Sequence, residues 1–206
     1  VAVVVTLAAI LIALTIPADL HVRVLTNRAQ AVGEIRGLVA RESVWRNGDF
    51  DGNGRADYWT RDLAALHCGW DAAGRPRALI DRDLALADAR PAVDYPELGR
   101  PRRSTIPKFS GVDVRPKAGY AYQAMRHDQD GGAYIEGGAP RPGAGNLPKE
   151  PSTHASRFGF TAYPVGYGTQ GVLVFVVNEA GVVWQIDIED ACPIESWRAS
   201  YVGTEK

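Results

Sequence analysis

The chain has 206 residues, with 23 Lys and Arg against 24 Asp and Glu, a formal net charge of −1 and a pI near 6.5. That balance excludes a general attraction to nucleic acid, so no nucleic-acid partner is expected. Its two cysteines, Cys68 and Cys192, form no CxxC and have no metal-spaced His or Cys neighbours, which speaks against a zinc site.

The first segment, Val1 to Pro17, is uncharged and almost wholly aliphatic. Its ten Val, Leu and Ile residues favour membrane insertion by about 0.3 to 0.6 kcal/mol each. Nothing charged opposes this before Asp19. Seventeen helical residues cover only about 25 Å, a little short of a full span. Either the native segment begins earlier or it sits shallowly; an unusually apolar core helix of a soluble domain is the alternative. A cleaved signal would stop here, but Leu20, Val24, Val32, Ile35, Leu38 and Val39 carry a helical stripe on towards Trp45. The economical reading is one long helix in two parts, a membrane half over 1–18 and an amphipathic half over 19–46. Pro17 should bend it without ending it, and Asn47 and Gly48 should stop it.

A single extracytoplasmic domain is expected over 47–206, since about 160 residues make one real core but not comfortably two. It opens with a turn-rich run to Tyr58, a short helical stretch around Arg61 to His67 and another over Leu79 to Ala89. Pro91, Pro96, Pro101, Pro107 and Pro116 then mark a long irregular excursion. Within it Arg100, Arg102, Arg103, Lys108, Arg115 and Lys117 outnumber acids and read as a solvated loop rather than a phosphate contact. Strands are expected over Tyr120 to Met125 and, after a Gly- and Pro-rich loop spanning 131–151, over Phe158 to Tyr163. The near-continuous run Val172 to Asn178 suits a strand covered on both faces, and Asn178 to Gly181 supplies a turn. The return strand alternates, with Val182, Trp184, Ile186 and Ile188 on one face and Gln185 and Asp187 on the other. The fold class is therefore α+β, with the helix residues Val32, Ile35, Leu38 and Val39 expected to dock on the sheet face bearing Val182, Trp184 and Ile186.

Catalytic chemistry has little support, and no catalytic residue is assigned. Gly166 to Gly171 fits GxGxxG but leads into a strand rather than a helix, so it reads as a glycine-rich turn. There is no Walker A run, HExxH or GxSxG, and His21, His67, His127 and His154 are scattered. A hydrolase would need a cleft that brings His127, Asp128 and Asp130, or His67, to a nucleophile. One cluster suggests a ligand. Asp49, Asp51, Asn53 and Asp57 alternate oxygen donors with glycines, matching the first half of an EF-hand-type calcium loop. The later bidentate glutamate of that pattern falls on Thr60, so Asp62, Asp57 or another loop must complete the shell, and a solvated Asx and glycine turn is the competing reading. Outside the cytoplasm Cys68 and Cys192 could bond; two separate buried thiols are the alternative.

An apolar N-terminal helix broken at Ile16-Pro17, the continuation Asn27-Arg28-Ala29-Gln30-Ala31 and a C-terminal sheet resemble a type IV pilin or type II secretion pseudopilin. The runs Asp49 to Thr60, Pro116 to Tyr120, Phe158 to Pro164 and Val174 to Gly181 are similar to pilin-like proteins of planctomycete-type bacteria. The resemblance implies a pilin-like fold and a structural subunit, major or minor, held by a single pass in the inner membrane with its domain periplasmic or on the cell surface. It implies copies of itself or related pilins as partners, packed through Val3, Leu7, Ile10, Leu11, Leu14 and Pro17. It also places a basic leader, a methylated phenylalanine and an assembly glutamate just upstream of Val1. A solitary membrane-anchored binding domain, recognising a ligand through loops 91–116 and 131–151, is the alternative.

Overall fold

A computed structural model describes residues 2–71, 73–99, 114–128, 130–142 and 145–187, with side chains from residue 19 onward. Helix α1, Ala2–Gly48, runs through Pro17 without ending, as the sequence leads one to expect. Its side chains are buried at Asn27, Ala31, Ile35, Leu38, Glu42 and Trp45. Those positions step by fours and threes, so they line one face of a 3.6-residue helix. Each fully buried Ile35 or Leu38 side chain contributes about 1.5 to 3 kcal/mol. At its C-terminal end Trp45 stacks on Phe50, ring centroids 5.6 Å apart, and lies 5.0 Å from Trp59, tying the helix to the chain that follows.

Among the described residues two antiparallel sheets follow. Strands β1, Tyr58–Trp59, and β3, Thr153–His154, form a short pair. The main sheet has the order β2-β4-β5-β6, formed by Tyr120–Ala124, Gly159–Pro164, Val174–Asn178 and Val183–Ile186. All its pairings are antiparallel, with Tyr122 opposite Ala162, Ala162 opposite Phe175, and Phe175 opposite Gln185. The β5–β6 hairpin turns where expected: Gly181, at φ 76°, donates its N–H to Asn178 O over 2.9 Å.

The sheet is apolar on both faces. One carries Tyr122, Phe160, Ala162, Phe175 and Val177 and joins Ile35 and Leu38 in the main core. The other carries Ala121, Tyr163, Val174 and Val176 in a second cluster with Met125 and Tyr134. This corrects the expected docking face. Trp184 and Ile186 pack with the second cluster, while Val183 is the β6 residue that meets the helix core. Gln185, expected to point away from the helix, instead accepts a 2.7 Å hydrogen bond from Arg28 of α1.

Two further helices are shorter than the sequence suggests. Helix α2 covers only Ala65–Cys68 and α3 only Arg82–Leu86. Asp81 starts α3 by accepting the Leu84 N–H at 2.9 Å, so Leu79 and Ile80 lie before its cap. Beyond Leu86 the backbone leaves the helix for the edge of β2, where the Ala89 N–H meets Tyr122 O at 2.8 Å. A 3₁₀ turn at Pro96–Leu98 follows.

Candidate functional site

Where α1 ends, the chain turns through Asp49, at φ 46°, a left-handed conformation that Asp tolerates better than most residues. Gly52 and Gly54, at φ 65° and 75°, complete the tight path. The Asp49 carboxylate accepts the Gly54 N–H at 3.1 Å, an Asx-type closure of the loop. Asn53 then bridges two acids, donating from Nδ2 to Asp51 at 2.7 Å and to Asp57 at 3.1 Å. Asp57 also accepts the Thr153 hydroxyl at 2.7 Å, which joins the loop to β3. Gly138, at φ 62°, seals this side: a Cβ there would stand 2.8 Å from Asp57 Oδ2 and 2.9 Å from Asn53 Nδ2.

The sequence-selected residues Asp49, Asp51, Asn53 and Asp57 therefore share one loop and one hydrogen-bond network. Asp51 is fully buried and Asp57 nearly so. Burial, reinforced by the neighbouring Asp57 charge, pushes the Asp51 carboxyl up to about 7. As a calcium site the arrangement is partial. Asp51, Asp57 and the Asn53 amide converge, but Asp49 is turned to a backbone N–H, and among the described residues no group of three or more His, Cys, Asp or Glu is placed to hold a metal ion. An open cavity of about 650 Å³ adjoins the loop, lined by Gly52, Asn53, Pro140, Arg141, Leu147 and Lys149 among others.

Of three further buried carboxylates, Glu42 and Asp88 escaped the sequence reading, and Asp62, considered there as a completing ligand of the loop, is engaged elsewhere. Glu42 lies on the buried face of α1; its Oε2 accepts the Trp59 N–H at 2.9 Å, and burial holds its carboxyl well above the usual range. Among the described residues its other oxygen has no hydrogen-bond partner. Asp62 accepts from Trp59 Nε1, Ala65 N, Ala92 N and the Tyr95 hydroxyl. Asp88 accepts the backbone N–H groups of Leu63 and Ala64 at 2.8 and 2.9 Å. These two acids bind the start of α2 to distant chain, a role that appears only when segments some thirty residues apart are brought together. The one available signal for Glu42 was its place on the 27-31-35-38-42-45 stripe.

The histidines do not assemble. His67 Nδ1 lies 2.8 Å from Ile80 O, and His154 Nδ1 accepts N–H groups from Ser156 and Arg157. Asp128 is ion-paired to Arg157, and its backbone contacts close a local turn with Gly132. Cys68 is buried, whereas Cys192 lies outside the described residues, as do Arg100, Arg102, Arg103 and Lys108. Lys117 bridges α1 to the α3 cap, 2.5 Å from both Glu34 and Asp81. The side chains of Val3, Leu7, Ile10, Leu11, Leu14 and Pro17 also fall outside the described set, although their backbone belongs to α1. Among the described residues no helix is long and apolar enough to cross a membrane.

Residues 113–195 match the family model described as Protein of unknown function (DUF2950). That stretch contains β2 to β6 but neither α1 nor the Asp49–Asp57 loop. No curated protein and no solved structure matches the chain.

Proposed function

We propose that the chain is a structural subunit, a pilin or pseudopilin, of a type IV pilus or type II secretion-type filament, assembled through α1. The observation that carries this reading is the change of environment along one unbroken helix. From Asn27 to Trp45 the helix offers a buried face to the domain, whereas Leu20, Val22 and Leu25 are 44%, 61% and 47% exposed. At 1.5 Å per residue the helix from Ala2 to Thr26 is about 37 Å long. An apolar run on a helix of that length needs a lipid or protein environment, and neighbouring copies supply one when a filament forms.

The mechanism is mechanical. Subunits wait in the inner membrane, and their N-terminal helices then exchange lipid contacts for contacts with one another. The α1 anchor on the sheet keeps each domain in a fixed relation to the shaft. The Asp49–Asp57 loop lies where helix meets β1 and β3, so its rigidity bears on the subunit surface. Calcium is the cation proposed for it; the carboxylates of Asp51 and Asp57 would hold it and, after reorientation, the Asn53 amide oxygen, now accepting the Arg55 N–H, and Asp49. A melting temperature that rises with calcium and falls with chelator supports that role; identical melting in both removes the ion from the proposal.

The assembly itself is tested by placing Asp at Val22 and Leu25 together. Unchanged domain melting with loss of the chain from sheared surface filaments is the expected result. Wild-type recovery of the doubly substituted chain in filaments would contradict it. A solitary anchored binding domain, recognising a ligand through loops 91–116 and 131–151, is the second reading, favoured by the clefts that Pro91 and Ala92 and that Pro140, Arg141 and Lys149 help to line.

A further inference from the structure

Three arginines far apart in sequence line a single cleft. Arg61 follows β1, Arg90 follows α3 and Arg126 follows β2, and together with His127 they surround a cavity of about 500 Å³ with Met125 and Ile135 in its wall. The chain as a whole is near neutral, yet no Asp or Glu is among the described residues lining this cleft. Such a local excess of guanidinium groups focuses positive potential in a concave, low-dielectric site.

The backbone that carries these groups is fixed. The Tyr134 N–H donates to Arg126 O at 2.9 Å, and the Thr60 hydroxyl, beside Arg61, donates to Tyr134 O at 2.6 Å. The Arg90 N–H donates to Asp88 Oδ1 at 2.8 Å, and the neighbouring Ala89 N–H reaches Tyr122 O on β2. Arg126 is exposed. Arg61 is paired at 2.8 Å with Glu150, whose side chain is 70% exposed. Surface pairs of that kind are weak, so a bound anion could displace Glu150. Asp62 borders the wall through Ala92 but is buried, with both oxygens engaged by four donors.

From this arrangement we infer that the cleft is a binding site for an oxyanion carried on a sugar-sized body. Guanidinium forks match the oxygens of phosphate, sulfate and carboxylate groups, and the apolar wall at Met125 and Ile135 receives the body of the ligand. The cavity falls within the size range of small-molecule sites. This site is independent of the filament reading, because no α1 residue is among the described residues lining it.

The test is calorimetric titration of the full chain, at low salt, with glucose 6-phosphate, glucose 6-sulfate, glucuronate and neutral glucose, so that the three arms also tell which oxyanion is preferred. At least one anionic sugar is expected to bind, glucose is not, and Kd should rise at least tenfold in the Arg61→Ala/Arg126→Ala double variant. The charge-retaining Arg61→Lys/Arg126→Lys variant guards against a folding artefact; it should recover part of the affinity. Absence of binding by all three anions, equal binding of glucose, or an unchanged Kd in a double alanine variant that melts like wild type would overturn the proposal.

Discussion

The two described stretches of α1 on either side of Asn27 are built from similar residues but meet different surroundings. After Asn27 a narrow stripe is fully covered by the sheet and by the Trp45, Phe50 and Trp59 cluster; before it, Leu20, Val22 and Leu25 face outward. Composition alone does not separate them. What differs is whether the domain supplies a complementary surface, so fold stability rests on one part of the helix, and the filament proposal assigns assembly to the other.

That separation can be broken from either side. The largest effect is expected in the covered half: Leu38→Ala should lower unfolding free energy by about 2 to 5 kcal/mol in chemical denaturation. Gly138→Ala comes next. It forces a Cβ towards Asp57 at a left-handed backbone position, and a loss of about 1 to 3 kcal/mol is expected. Smaller again is the Lys117→Ala change, which removes a partly exposed bridge between α1 and α3 and should cost about 1 kcal/mol or less. In the outward-facing half, Leu25→Ser should alter domain stability by about 0.5 kcal/mol or less while reducing filament incorporation.

A pH experiment sharpens the same division, because the raised carboxyls lie in and beside the covered half. Folding raises the Asp51 carboxyl to about 7 and also lifts Glu42, both chiefly through burial. Their folded forms thus hold protons that the unfolded chain has released, and their contribution is full below about pH 4. It is lost as pH rises through the folded value, about 7 for Asp51. The melting temperature should fall between pH 5 and 8, and Asp51→Asn or Glu42→Gln should flatten that fall. An equally steep profile in both variants would show that neither acid is responsible.

Much of the architecture was legible because it is local. The β-branched run at Val174–Asn178, the turn at Gly181 and the helix stop at Gly48 each declare themselves in a few residues. The facing of β6 did not, for a physical reason. Both sides of the main sheet are apolar, so alternation at Trp184 and Ile186 marks two faces without saying which meets α1. Gln185 looked outward by polarity but is accommodated beside the helix by Arg28. The Asp49–Asp57 loop was readable from spacing, since all four donors are local. Its links to Thr153 and Gly138 were not, and neither was the arginine cleft, because only the folded chain joins those segments.

The most direct measurement is mass spectrometry of the chain's native N-terminus in sheared surface material and in membranes from the same cells. The filament account expects the chain in the sheared fraction, with a methylated phenylalanine a few residues ahead of Val1. A chain confined to the membrane fraction, with an unmethylated terminus, would contradict it.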